Sequence, residues 1–404
     1  MVGAQMIKQT ERVMSSAYMQ WAKTHLQARF NLASSGLEPL PLAELPVKID
    51  NLELTGPSFY GYEPLQKALA KKCGVSPDCV VAATGTSMAN HLAMAATLRP
   101  GDEALIEQPT YELLVSTAQY LGAKVKRFTR SFEDGFRLDP NEVARAASTR
   151  TRLIILTNLH NPSSALARNE ALKQLGKIAR EVGARVLVDE VYLDALFDDA
   201  PPTAFHLGEE FITTNSLTKV YGLSGLRCGW VLAEPALAKK LWYLNDLFGV
   251  IPAHAAERLS CIALEHLDEI AAHARRLLET NRRLLNAFFN ARDDLDWMPL
   301  NFGTVAFPRL KNGSVDALCA LLLEKYETSV VPGKFFDMPQ HFRIGIGCET
   351  AMLAEALARL SKALFDISAQ PYPRSARAGN SFSLRWPAKR ERRGQKRPQR
   401  ERSK

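Results

Sequence analysis

The feature that most constrains this chain is a repetition between residues 80 and 233. Short strand-like runs occur at Val80–Ala83, Glu103–Gln108, Lys124–Phe128, Leu153–Thr157, Val186–Val188, Phe211–Thr214 and Gly229–Ala233. Helical stretches such as Asn169–Val182 lie between most of them. Strand, helix, strand in repetition predicts an α/β fold, with a mostly parallel sheet covered on both faces. Such sheets place ligands at the carboxyl ends of their strands. The residues that follow each run are therefore the ones to read for chemistry.

The most informative of these turns is Ser216-Leu217-Thr218-Lys219-Val220-Tyr221-Gly222-Leu223-Ser224-Gly225-Leu226-Arg227-Cys228-Gly229-Trp230. Hydroxyls and an arginine on a Gly-rich turn suit a phosphate, which takes short donors, backbone N–H groups and a bidentate cation. Lys219 stands beside that site without being needed to bind it, which suggests covalent work. An amine of lowered pKa forms a Schiff base with an aldehyde, and an aldehyde that carries a phosphate is pyridoxal 5′-phosphate.

Other turns add to this. Gly85-Thr86-Ser87 opens a helix directly after a strand, where free N–H groups and the helix dipole favour an anion; the same residues suit a plain N-cap. Val186-Leu187-Val188 runs into Asp189. A carboxylate at the end of an apolar strand is buried and needs a cationic partner to stay ionised. Tyr111 follows Pro109, and Asn161 stands in an Asn-Pro turn after the strand that ends at Thr157.

Taken in order, these segments resemble the fold-type I pyridoxal-phosphate enzymes, the class I/II aminotransferases in particular, from about Asn31 to Phe365. The resemblance implies a site. Lys219 would carry the Schiff base. Gly85, Thr86, Ser87, Ser216, Thr218 and Arg227 would hold the phosphate, and Tyr111 would stack on the pyridine ring. Asn161 and Tyr192 would contact its phenolic oxygen, and Asp189 would pair with its protonated nitrogen. Lys219, Asp189 and Tyr192 are the expected catalytic group. Arg343, on an alternating strand, would take the substrate α-carboxylate, and the turn at Ser35 and Gly36 would lie over the substrate. Two departures stand out. Ser164 replaces the glycine of the family's Asn-Pro-Thr/Ser-Gly turn. Gly56 falls where a tyrosine that reaches the neighbouring subunit's phosphate is expected, which leaves Tyr60 or Tyr62 as substitutes.

The implied activity is an aminotransferase acting on an L-amino acid and a 2-oxo acid, with a homodimer as its assembly. Phe302–Arg309 and Val330–Phe336 also resemble capreomycidine synthase, a cyclising member, so a lyase or cyclase on the same cofactor is the alternative. A non-catalytic regulator is a third reading; against it, no helix-turn-helix domain precedes the large domain, and Lys219, Asp189, Asn161 and Arg227 are all in place.

Composition bounds the rest. Six scattered cysteines with no C-x-x-C pair argue against zinc and a disulfide framework and predict a cytoplasmic protein; no metal is expected. No apolar run approaches membrane-span length, and the first sixteen residues lack a signal-peptide core. The net charge of +8 resides in the tail, where twelve basic residues from Arg374 onward face only Glu391 and Glu401. Nucleic-acid contact is therefore a property to expect of the tail alone. The expected organisation is an N-terminal segment, 1–49, with a helix over Glu11–Leu26; it joins a small α+β domain at 251–368, helical from His254 to Ala291, over Ser314–Tyr326 and over Ala351–Phe365, with short strands at Trp297–Leu300, Val305–Leu310, Thr328–Val331 and Phe342–Ile346. A large cofactor-binding domain lies at 50–250, and a basic disordered tail at 369–404.

Overall fold

The computed structural model describes residues 13–25 and 28–369. Its main sheet has seven strands: β1 (Val80–Thr84), β2 (Glu103–Gln108), β3 (Lys124–Thr129), β4 (Thr151–Thr157), β5 (Arg185–Asp189), β6 (Phe211–Ser216) and β7 (Cys228–Leu232). They lie in the order β1-β7-β6-β5-β4-β2-β3. Strands β2 to β6 pair in parallel, whereas β7 runs antiparallel to both β6 and β1. The reversal has a local cause. Parallel neighbours need a crossover of a dozen residues or more, usually an α-helix, and the stretch from Leu217 to Arg227 holds only the short 3-10 helix Ser224–Leu226.

The strands are apolar on both faces because both are covered. On β4, Leu153 and Ile155 join one core while Ile154 and Leu156 join the other. On β5, Leu187 faces the first core and Val186 and Val188 face the second. Helix Gly85–Thr97 packs on the first face, with Leu92 and Ala93 fully buried, and helix Asn169–Val182 packs on the second through Leu172 and Leu175. Each such side chain contributes about 1.5–3 kcal/mol on burial.

Register sets the site. Thr157, Asp189 and Thr214 are side-by-side partners at the carboxyl ends of β4, β5 and β6. Ser216 pairs with Gly229, and Thr84 with Cys228. Because β7 runs the other way, its first residues, and Arg227 before them, lie at that same edge. Gly229 has to be glycine there, since a Cβ would stand 2.5 Å from the carbonyl carbon of Gly85.

After β7 the elements are shorter than expected. The stretch from His254 to Ala291 forms two helices, His254–Glu265 and Leu267–Asn290; no Gly or Pro marks the break at His266. Val305–Leu310 splits into Val305–Ala306 and Arg309–Leu310 around Pro308, which has no N–H for a ladder. The strand expected at Trp297–Leu300 lies earlier, at Leu295–Asp296, because Pro299 interrupts the run. Thr328–Val331 divides as well. Thr328–Ser329 pairs in parallel with Phe30–Asn31, while Val331–Pro332 pairs with Phe342–Gly345. The N-terminal helix, expected over Glu11–Leu26, is described as Ala17–His25. The final helix spans Thr350–Ala369, and the basic tail beyond it lies outside the described residues. Among the described residues no helix is long and apolar enough to cross a membrane.

Candidate active site

Five strand ends and one returning strand deliver the functional side chains to one edge of the sheet. After β1, Gly85 takes φ +75°, a left-handed conformation that a side chain would strain, and the helix starts at once. A Cβ at Gly85 would stand 2.3 Å from Nη2 of Arg227, so the guanidinium lies against bare backbone. Thr86 Oγ1 donates to Ser216 Oγ at 2.8 Å, and the Thr218 N–H reaches the same oxygen at 3.3 Å. Thr218 Oγ1 is buried with no partner. Ser87 sits exposed on the first helical turn. Hydroxyls, N–H groups and a guanidinium are thus brought together at one end of the sheet.

Asp189, at the end of β5, is almost fully buried. Its oxygens accept from Asn90 Nδ2 at 2.8 Å and from the Val191 N–H at 3.1 Å. Asn90 is fixed in turn by Thr214 Oγ1, at 2.6 Å from Asn90 Oδ1. Burial pushes the Asp189 carboxyl up to about 6, against the opposing pull of Asn90 and of the Val191 N–H. Asn90 was not anticipated from the sequence. Its only signal is an amide on the sheet-facing side of an apolar helix.

Lys219 Nζ donates to Ser35 Oγ at 3.1 Å, and Ser35 also meets the buried Tyr192. Burial lowers the Lys219 pKa; Tyr18 and Asp189 oppose that shift, while Arg343 and Arg227 add to it. Gly36 lies over this lysine, where a Cβ would be 3.2 Å from Lys219 Cδ, and the Leu37 N–H donates to the Lys219 carbonyl at 2.8 Å. Burial likewise raises the Tyr192 hydroxyl above its ordinary value.

Arg343 lies on strand Phe342–Gly345 with 1% of its surface exposed. Its Nη1 donates to Asn161 Oδ1 at 2.9 Å. Asn161 is held in place by its own N–H, which donates to Thr157 Oγ1 at 2.8 Å. Tyr111 begins the helix after β2, and its ring meets Tyr18 edge-on at 5.7 Å. Tyr18 is the further site residue for which the sequence reading assigned no role; Ser35, expected in the turn over the substrate, bonds to Lys219.

Both departures from the resembled pattern have a steric reason. Ser164 adopts φ +62°, as a glycine would, and its Oγ donates to the Val305 carbonyl at 2.8 Å, which offsets strain. At Gly56 a Cβ would stand 2.1 Å from Nε2 of His254, so the imidazole occupies the space of a side chain. Tyr62 is buried and its hydroxyl accepts from Arg258 Nη1 at 3.1 Å, whereas Tyr60 is exposed.

Residues 48–360 match the model of the family described as aminotransferase class I and II. The chain belongs to that family. Its curated relatives include capreomycidine synthase of Streptomyces vinaceus, 31% identical over 84% of this chain and 91% of the relative. They also include an aspartate aminotransferase of Streptomyces avermitilis, 24% identical over 77% of this chain and 83% of the relative. A solved PLP-dependent aminotransferase from Streptococcus suis superposes with a TM-score of 0.84 at 25% identity, covering 89% of this chain and all of the other. The fold of this class I/II family member is fold type I, and its cofactor is pyridoxal 5′-phosphate. The residues present fit that group. The orphaned Thr218 hydroxyl and the cradle of Gly85, Thr86, Ser216 and Arg227 match a phosphate, and a buried carboxyl without a cation of its own matches a pyridinium. Among the described residues no cluster of His, Cys, Asp and Glu could hold a metal ion.

Proposed function

We propose that this family member is an aminotransferase that moves an amino group between an L-amino acid and a 2-oxo acid, with Lys219 as the covalent attachment point of the cofactor. The bound cofactor supplies an electron sink for charge that develops at the substrate Cα. Everything else comes from the chain. Arg343 binds the α-carboxylate through its planar fork. Lys219, its pKa lowered by burial, carries a proton to and from Cα as general base and acid. Asp189 would keep the ring nitrogen positive, and Asn161 and Tyr192 would hydrogen-bond the ring's oxygen. Gly85, Thr86, Ser87, Ser216, Thr218 and Arg227 would hold the phosphate and Tyr111 the ring, while Gly36 lies over the lysine.

The observation that carries this reading is that a half-buried lysine of lowered pKa lies within electrostatic reach of a buried arginine and of a buried carboxyl that forms no ion pair. Two measurements test it. Borohydride reduction of the purified protein, followed by peptide mapping, is expected to find the cofactor on Lys219; a label elsewhere removes the assignment. Incubation with a panel of amino acids and 2-oxoglutarate is expected to yield glutamate.

The similarity to capreomycidine synthase favours a second reading, a PLP-dependent cyclase or lyase. A donor that is consumed to a cyclised or eliminated product, with no glutamate formed, decides for it.

We further propose a homodimer in the cytoplasm. Ile49, Leu54, Phe59, Tyr60, Leu247, Phe248, Val250 and Ile251 are all exposed, and large exposed apolar side chains in number mark interaction surfaces. The same reading keeps a large domain at 50–250 and a small domain at 251–368 completed by the N-terminal segment. Sedimentation of an active monomer is the result that excludes the dimer.

A further inference from the structure

The N-terminal helix Ala17–His25 lies before residue 48, where the family match begins, yet it reaches the centre of the site. Tyr18, on its first turn, is buried, and its hydroxyl accepts a hydrogen bond from Arg343 Nη2 at 2.9 Å. The same Nη2 also donates to the Ala33 carbonyl at 3.2 Å, while Nη1 donates to Asn161. Nε is buried with no partner.

A guanidinium offers a carboxylate two edges for paired bonds: Nε with Nη2, and Nη1 with Nη2. Both edges use Nη2, and both Nη2 protons are already engaged, one by Tyr18 and one by Ala33. Bidentate capture of a carboxylate therefore requires one of those two acceptors to give way. Ala33 is fixed by backbone, in a segment where Leu32 bonds to both Ser329 and Gly345. Tyr18 holds Arg343 only through an oxygen lone pair, so its own proton is not spent on that contact.

The ring of Tyr18 is well placed to keep this hydroxyl over the fork. It meets Tyr111 edge-on at 5.7 Å and 82°, Phe335 at 5.7 Å and 68°, and Phe336 at 6.1 Å. The Arg343 guanidinium lies 5.8 Å from the Tyr18 ring centre and 5.2 Å from that of Phe336. The helix is tied down at its start, where Ser16 Oγ accepts from the Met19 N–H at 3.0 Å and donates to the Glu112 carboxylate. Glu112 follows Tyr111, so the helix that carries Tyr18 is anchored to the helix that carries the ring-stacking tyrosine.

We propose that Tyr18 is a second ligand of the substrate carboxylate. Before substrate arrives, its oxygen accepts from Nη2 and fixes the plane of the guanidinium. When a carboxylate takes Nη2, the hydroxyl turns and donates its own proton to a carboxylate oxygen. Arg343 then supplies the charge and Tyr18 a third donor. This rests on the carboxylate role given to Arg343 above.

The test uses the holoenzyme and two amines without an α-proton, so that neither can turn over. They are 2-methylalanine and tert-butylamine, which has a methyl group in place of the carboxylate. The readout is the half-saturating concentration for the change in cofactor absorbance. Tyr18→Phe keeps the ring and its aromatic contacts and removes only the hydroxyl. It is expected to raise the value for 2-methylalanine about tenfold, the size of a hydrogen bond to a charged group, and to leave that for tert-butylamine unchanged. Equal increases for both amines assign Tyr18 a packing role and overturn the proposal, as does no change for either. If wild-type protein responds to 2-methylalanine no better than to tert-butylamine, the carboxylate site at Arg343 fails, and the role of Tyr18 with it.

Discussion

Two buried carboxylates at the same edge of the sheet have opposite surroundings. Glu107, near the end of β2, forms an ion pair with Arg130 at 2.8 Å, and both side chains are fully buried. It also accepts from the Thr157 N–H at 2.7 Å, Thr157 Oγ1 at 2.6 Å and Thr110 Oγ1 at 3.3 Å. Asp189, two strands away with β4 between them, has an amide and one backbone N–H and no ion pair, Lys219 acting on it only at longer range. Burial raises the pKa of both groups, but at Glu107 the cation and several donors pull against it. A carboxylate whose partners the chain supplies in full is architectural: it ties β2, β3 and β4 together beneath the site. On the function proposed above, a carboxylate bonded only to neutral donors is the one kept for a cation from outside.

The largest expected effect lies on the Asp189 side. Asp189→Ala is expected to retain cofactor and lose about 10²–10³-fold in turnover, the size of a preorganised electrostatic contact. Turnover close to wild type would make Asp189 as structural as Glu107. On the other side, Glu107→Ala is expected to cost about 3–5 kcal/mol of stability by leaving Arg130 buried and unpaired, with little change in turnover per folded molecule. Denaturant unfolding together with active-site titration separates the two quantities.

The third prediction concerns pH. In cofactor-free protein the Asp189 carboxyl titrates at about 6, above its ordinary 3.8. Folded protein therefore binds the proton more tightly than unfolded chain, and stability falls as pH rises from about 4 to 6. Asp189→Asn, which stays neutral, is expected to unfold at a higher temperature than wild type at pH 7 and to converge with it near pH 4. Bound cofactor, by supplying the cation, is expected to shrink the difference at pH 7. A difference that ignores both pH and cofactor would show that Asp189 has no unmet need for charge.

An effect of opposite sign is expected at His341, away from the candidate active site. It is buried against Phe132, Phe136 and Phe307 with neither ring nitrogen bonded. Burial, with help from Arg309, pushes it down to about 4 from 6.5. Unfolded chain then binds the proton first, so this stability is complete above about 6.5 and is lost as pH falls towards 4. His341→Phe is expected to flatten that part of the stability profile. The smallest effect is expected from truncation after Ala369. The tail's net charge of +10 opposes compaction, so melting temperature and turnover should stay as they are, while any polyanion binding should weaken with salt. A large fall in either quantity would contradict the boundary.

Much of this was legible in the chain because it is encoded locally. The strands that became β1 to β7 are continuous runs in sequence; Asp189 ends one of them, Gly85 follows one directly, and Lys219 and Asn161 lie in the turns just after two others. The shorter strands after Asp293 were legible less well. Pro299 and Pro308 cut runs whose composition still suited strands, and pairs such as Phe30–Asn31 with Thr328–Ser329 are joined across most of the chain.

By itself, the order of residues determined which side chains stand at strand ends, and hence the cluster of Gly85, Thr86, Ser216 and Arg227, the lysine and the strand-end acid. Only the tertiary structure decided what each of them faces. It set Asn90 against Asp189, Ser35 against Lys219 and Tyr18 against Arg343, contacts that span 99, 184 and 325 positions. It also decided that Tyr62 is buried and Tyr60 exposed. The physical reason is range: the alternation of a strand or the start of a helix is set by neighbours along the chain, whereas the partner of a buried polar group is whichever donor folding brings within about 3 Å of it.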